Sequence, residues 1–158
     1  MNLFVALQKD DGSVELVTPP LDDVILPGVT RDSVLCLARD HASGKNPIPG
    51  LPKNLTVSER YINMGEVVEA ARKDRLLEVF GTGACISPWF TKTVLISSLG
   101  TAAIVCPVEK IGYEGEEIKV PTGENDRGIG NLAKSFLTEV QGRQIGKIPS
   151  EWSVVVSE

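Results

Sequence analysis

The sequence predicts an α/β fold, a single domain in which strands and helices alternate. Two observations carry that expectation. Runs of strand length rich in β-branched and aromatic residues alternate along the whole chain with segments whose apolar residues recur at helical spacing. The 158 residues are 42% hydrophobic and 23% charged, ordinary globular material with enough apolar side chains for one core. No composition break, repeat or low-complexity tract marks a linker, so residues 1–158 are read as one unit.

In order, NLFVAL (Asn2 to Leu7) and VELVT (Val14 to Thr18) are expected as strands joined through a Lys-Asp-Asp-Gly turn ending at Gly12, a hairpin. TPPLDDVILPGV is excluded from helix because Pro19, Pro20 and Pro27 impose extended backbone ahead of Gly28. From Arg31 to about His41, Val34, Leu35, Leu37 and Ala38 form an apolar stripe, with Thr30 or Asp32 as the cap. A loop, ASGKNPIPGLPKN, leads to the strand TVSERYI. The helix NMGEVVEAARK follows, with Asn63 and Glu66 at capping-box spacing. LLEVF is a strand running into glycines, TAAIVCPV and KIGY are strands, NLAKSFLTEVQ is an amphipathic helix, and WSVVV is a terminal strand.

The formal net charge of −5 provides no basic footprint for nucleic acid or an anionic membrane surface. Cys36, Cys85 and Cys106 match neither a disulfide framework nor a zinc spacing, so no metal site is expected and a reducing compartment is favoured. No apolar run is long enough for a membrane span, and MNLFVALQ lacks the basic start of a signal peptide. His41, the only histidine, follows a helix in polar surroundings and is expected at the surface; Cys36, Cys106 and Trp152 are expected inside. The nine lysines fall in turns, loops and polar helix faces, where a solvated charge is the ordinary role.

Two stretches bear on chemistry. In LPGVTRDS, a glycine that lets a ligand approach the backbone precedes a threonine at the positive end of a helix. In VFGTG, a strand runs into a Gly-Thr-Gly turn whose N–H groups are suited to an anion. Each alone is equally a turn and cap. Together they suggest one phosphate gripped from two sides.

The wording of the sequence adds to this. Asn2-Leu3-Phe4, then Leu16-x-Thr18, then Leu26-Pro27-Gly28-Val29-Thr30-Arg31 resembles the signature of class IV pyridoxal-phosphate aminotransferases. ELVTPPLDDVILPGVTRDSVL, VSERYINMGEVVEAAR, LLEVFGTG, VCPVEKIGYEGEEIKVPT and EWSVVV resemble the branched-chain aminotransferases, especially fungal members. The resemblance implies the large C-terminal domain of the D-amino-acid-aminotransferase-like fold, a mainly β core with peripheral helices, with the small domain missing. It also implies pyridoxal 5'-phosphate as cofactor, amino-acid and 2-oxo-acid substrates, and a homodimer for the full-length enzyme. D-amino-acid aminotransferases and aminodeoxychorismate lyases share the Gly-Val-Thr-Arg element, and a non-catalytic phosphate-binding or non-functional product is the alternative of another class.

By the same resemblance, the N–H groups of Val29 and Thr30 with the Thr30 hydroxyl hold the cofactor phosphate, and Leu26 with Gly28 walls the ring. Thr101 is the second phosphate grip, and Thr101 with Ala102 receives the substrate carboxylate. In the family the cofactor-bearing lysine and the glutamate at the pyridine nitrogen lie ahead of the Met-Asn pair. No catalytic residue is therefore expected in this chain, which reads as a C-terminal fragment inactive by itself, its compartment cytoplasmic or mitochondrial. Joining Gly83 to Thr101 restores the family wording, LEVFGTGTAAIVCPV, so Ala84 to Gly100 is read as a foreign insertion within the binding turn, of retained-intron type.

Overall fold

The computed structural model describes residues 1–22, 25–83, 104–123 and 128–152. Thr101, Ala102, the Ala84 to Gly100 segment and most of WSVVV lie outside them. The described residues form a mixed α/β structure. Strands β1 (Asn2–Gln8), β2 (Val14–Thr18), β3 (Leu55–Glu59), β4 (Leu76–Thr82) and β5 (Val105–Pro107) make one sheet in the order β3-β2-β1-β4-β5. β6 (Lys110–Tyr113) and β7 (Glu116–Lys119) form a separate two-stranded sheet. The helices are α1 (Val29–Ala42), α2 (Met64–Arg72) and α3 (Asn131–Gln144).

β1 runs antiparallel to β2 and β4, and β4 antiparallel to β5, whereas β2 and β3 are parallel. A parallel neighbour demands a crossover, and α1 supplies it. That topology gathers one rim: the ends of β2 and β3, the start of β1, the end of β4, the start of β5 and the amino end of α1. Asn2 is the cross-strand partner of Thr82, which in turn pairs with Val105.

The strands alternate faces with period two. Phe4, Leu16 and Phe80 pack on α1 and α3 through Val34, Leu35 and Phe136, with the Phe4 and Phe80 rings stacked at 5.2 Å. Val5, Val17 and Val79 face the other way, onto Val67 and Ala70 of α2. A strand buried on both faces explains why β2 reads VELVT without a polar edge; even its Glu15 is buried, bonded to Arg60 and Ser58.

Several expectations need correction. The cap of α1 is Gly28, not Thr30 or Asp32, because the extended backbone that Pro27 begins persists through Gly28 (φ −72°, ψ 130°) and ends there. β3 stops at Glu59, where Arg60 turns to bind Glu15 and Glu66. β7 was not expected; it forms because Glu114 and Gly115 both take positive φ (51° and 82°), the backbone of a tight hairpin turn. His41 is buried, Cys36 is exposed and Cys106 is half-buried. Trp152 is 50% exposed and lies under the Arg143 guanidinium rather than in the core. The α2 cap is as expected: Asn63 Oδ1 accepts from the Glu66 N–H at 2.9 Å.

Candidate functional site

The amino end of α1 is built by residues distant in sequence. Asp32 is the first residue to bond back, its N–H reaching Gly28 O at 3.0 Å. The N–H groups of Val29, Thr30 and Arg31 therefore precede the helical ladder, and a glycine cap offers them no side-chain acceptor. No hydrogen bond to another described residue engages them or the Thr30 hydroxyl.

Asn2 sets the approach to this end. Its Nδ2 donates to Leu26 O at 2.9 Å, and its Oδ1 lies only 2.4 Å from where a Cβ on Gly28 would stand. Glycine is required here for space, not for backbone freedom. Thr18 Oγ1 donates to Leu3 O at 2.7 Å and ties β2 to the start of β1. Behind the first helical turn, the buried Arg31 donates Nη2 to Pro19 O at 2.8 Å and to Glu59 Oε2 at 2.7 Å, clamping α1 to the ends of β2 and β3. The Arg31 bond, with Arg39 adding a second, holds the Glu59 carboxyl below the usual carboxylate range. Arg31 Nε has no partner among the described residues.

α3 offers a contrast on the same face of the sheet. Its cap is also a glycine, Gly130, but the buried Glu78 of β4 accepts from the N–H groups of Leu132 and Ala133 at 3.0 and 3.1 Å. A carboxylate from within the fold thus occupies the positive end of α3. Burial pushes the Glu78 carboxyl up, against the pull of those backbone donors. α1 has donors of the same kind and, among the described residues, no carboxylate bonded to them.

The sequence-derived residues Leu26, Gly28, Val29 and Thr30 are thus together on one segment, with Leu26 and Val29 82% and 83% exposed. VFGTG differs from the expected turn: β4 continues through Gly81 and Thr82, and of that tripeptide only Gly83 leaves the strand, at φ 98°. Asn2 and Glu59 were not foreseen at this rim, and Arg31 and Thr82 were foreseen only as members of LPGVTRDS and VFGTG, with no role for their side chains. Arg31 carried a signal, standing three and four residues before Val34 and Leu35 on the same helical stripe.

Every described lysine is exposed, as the sequence suggested. Among the described residues, no three His, Cys, Asp or Glu side chains are grouped to hold a metal, and no helix is long and apolar enough to cross a membrane. The amino end of α1 provides backbone donors, a hydroxyl and the positive end of a helix dipole, which suits an anion such as a phosphate ester.

No protein-family model matches the chain. Among curated proteins, the cytosolic branched-chain-amino-acid aminotransferase of Saccharomyces cerevisiae is 38% identical over 156 residues, covering 98% of this chain and 35% of that protein. The cytosolic form of Ovis aries is 36% identical over 157 residues, or 99% and 33% respectively. The mitochondrial form of Saccharomyces cerevisiae is 38% identical over 160 residues, or 100% and 34%. The chain spans about a third of the length of the curated relatives it matches.

Proposed function

Because the chain is homologous over nearly its whole length to about a third of the branched-chain-amino-acid aminotransferases, we propose that it forms the phosphate-holding side of such an enzyme, the C-terminal part of its large, class IV domain. The observation that carries this reading is the open amino end of α1, set against the internally closed end of α3.

Pyridoxal 5'-phosphate fits the residues present. Its phosphate needs several convergent donors and no nearby carboxylate. Val29 and Thr30 provide two backbone N–H groups and a hydroxyl, while the only acidic residue in the first turn, Asp32, is exposed. The clash a Cβ at Gly28 would make with Asn2 is the mark of a backbone drawn in close. When bound, the cofactor supplies an electron sink for the substrate's α-carbon. The work of this chain is to hold and orient. The α1 donors fix the anionic tail, Leu26 and Gly28 wall the ring and exclude water, and the Arg31–Glu59 pair keeps the helix from shifting under the anion's pull. In the whole enzyme the reaction is amino exchange between leucine, isoleucine or valine and 2-oxoglutarate, carried out by a homodimer, with the cofactor-bearing lysine outside these residues. Thr101 and Ala102 complete the grip in this reading.

The insertion belongs to the same proposal. The pairing of Thr82 with Val105 means the chain leaves the sheet at Thr82 and re-enters it opposite. Without Ala84 to Gly100, the link is Gly83 plus residues 101–104, an ordinary hairpin length, which supports reading those residues as added to a finished turn.

Equilibrium titration of the 158-residue chain with pyridoxal phosphate and with pyridoxal is the test. The expected result is phosphate-dependent binding that inorganic phosphate competes away, with no leucine-dependent turnover of 2-oxoglutarate by this chain alone. Equal binding of pyridoxal, or indifference to inorganic phosphate, overturns the assignment.

A further inference from the structure

We infer that the Thr82 hydroxyl is a further donor to the anion held at the amino end of α1, an inference that rests on the phosphate site proposed above. Thr82 is fully buried, and its Oγ1 has no hydrogen-bond partner among the described residues. A hydroxyl sealed from water without a partner is costly, so it calls for an explanation.

Its position supplies one. Thr82 closes β4 directly opposite Asn2, so both side chains leave the sheet on the face that carries α1, as Phe80 and Phe4 do two residues further in. Cross-strand neighbours stand about 5 Å apart at Cβ. The next group beyond Asn2 is Gly28, against which the Asn2 side chain is pressed. The rim therefore presents Thr82, Asn2 and the α1 amino end as adjacent groups.

Asn2 is already committed through Nδ2 to Leu26 O, and the neighbouring buried threonine, Thr18, is satisfied by Leu3 O. Of the two fully buried threonines at this rim, only Thr82 keeps an O–H without a partner among the described residues, and the Asn2 side chain joins its position to the α1 amino end. A buried hydroxyl with no protein acceptor requires one from elsewhere, and the helix amino end next along the rim attracts the anion that supplies it. A phosphate oxygen meets that requirement, and Thr82 then links the end of β4 to α1 through the ligand.

The test is calorimetric titration of the full chain, Thr82→Val and Thr82→Ser with inorganic phosphate, beside thermal unfolding without phosphate. Valine has threonine's shape without the hydroxyl, so Thr82→Val is expected to unfold at the same or a higher temperature than the parent. It should nevertheless bind phosphate roughly tenfold more weakly or worse, the worth of one hydrogen bond to a charged acceptor. Thr82→Ser should keep most of the affinity. Equal phosphate affinity of parent and Thr82→Val overturns the role of Thr82 while leaving the α1 site standing. Absence of phosphate binding by the parent overturns both.

Discussion

Replacing Gly28 with alanine isolates what shapes the α1 amino end. The backbone there (φ −72°, ψ 130°) is open to any residue, so Gly28→Ala alone should stabilise by about 0.4–1 kcal/mol through a less disordered unfolded chain. The new Cβ, however, would stand 2.4 Å from Asn2 Oδ1, well inside contact distance. Asn2 is buried and must rotate away, giving up its bond to Leu26 O and leaving an amide unsatisfied, a cost of about 1–3 kcal/mol. The collision wins, with a net loss of roughly 1–2 kcal/mol and a fall in Tm of about 2–8 °C. In an Asn2→Ala background the obstacle is gone, so the same Gly28→Ala change should become neutral or slightly stabilising. Urea and thermal unfolding of the four proteins measure this coupling. An equal cost of Gly28→Ala in both backgrounds would refute the claim that Asn2 is what demands glycine at this position.

Other expectations follow from buried polar groups. His41→Ala should destabilise by about 1–3 kcal/mol, because Nδ1 accepts from the Ile48 N–H at 2.9 Å and Nε2 lies 3.0 Å from Pro52 O; faster hydrogen exchange at the Ile48 amide is the local readout. Glu59 and Glu78 should act oppositely on the stability–pH curve. The Glu59 carboxyl is lowered, so its contribution is present above the ordinary glutamate value and is lost as pH falls through the folded value; Glu59→Gln should flatten that acid limb in urea titrations. The Glu78 carboxyl is raised, so its contribution is greatest below the ordinary value and declines as pH rises through the folded one, a slope that Glu78→Gln should remove. Glu78→Ala should further cost about 0.5–2 kcal/mol through loss of the α3 cap, seen as reduced helical ellipticity and a lower Tm.

What the sequence disclosed was local. The β1–β2 hairpin, the prolines ahead of α1 and the Asn63 cap rest on interactions between near neighbours, so their residue types announce them. Burial of His41 was also written there, since it stands seven residues after Val34 and three after Ala38, on the stripe that faces the sheet; its polar neighbours masked the spacing. Other features required register. Nothing near Asn2 says that it will press on Gly28, and nothing near Glu78 says that it will close a helix beginning at Asn131. Those partnerships exist only once β1 and β4 are paired and β2 is joined in parallel to β3. The EEIK strand lacked alternation altogether and depends on a turn whose first residue, Glu114, takes a conformation its type does not favour.

The position of Met1 has a practical consequence. It is 62% exposed and precedes Asn2 at the rim where α1 begins, with its side chain against Gly81 of β4. Any polypeptide joined ahead of it, whether an affinity handle or another folded module, is delivered to the rim where α1 begins rather than to the opposite rim of the sheet. A polyhistidine leader placed there would add titratable imidazoles beside the α1 amino end and draw anions toward it on protonation, so comparison of tagged with cleaved protein in the phosphate titrations becomes a probe of that end in its own right.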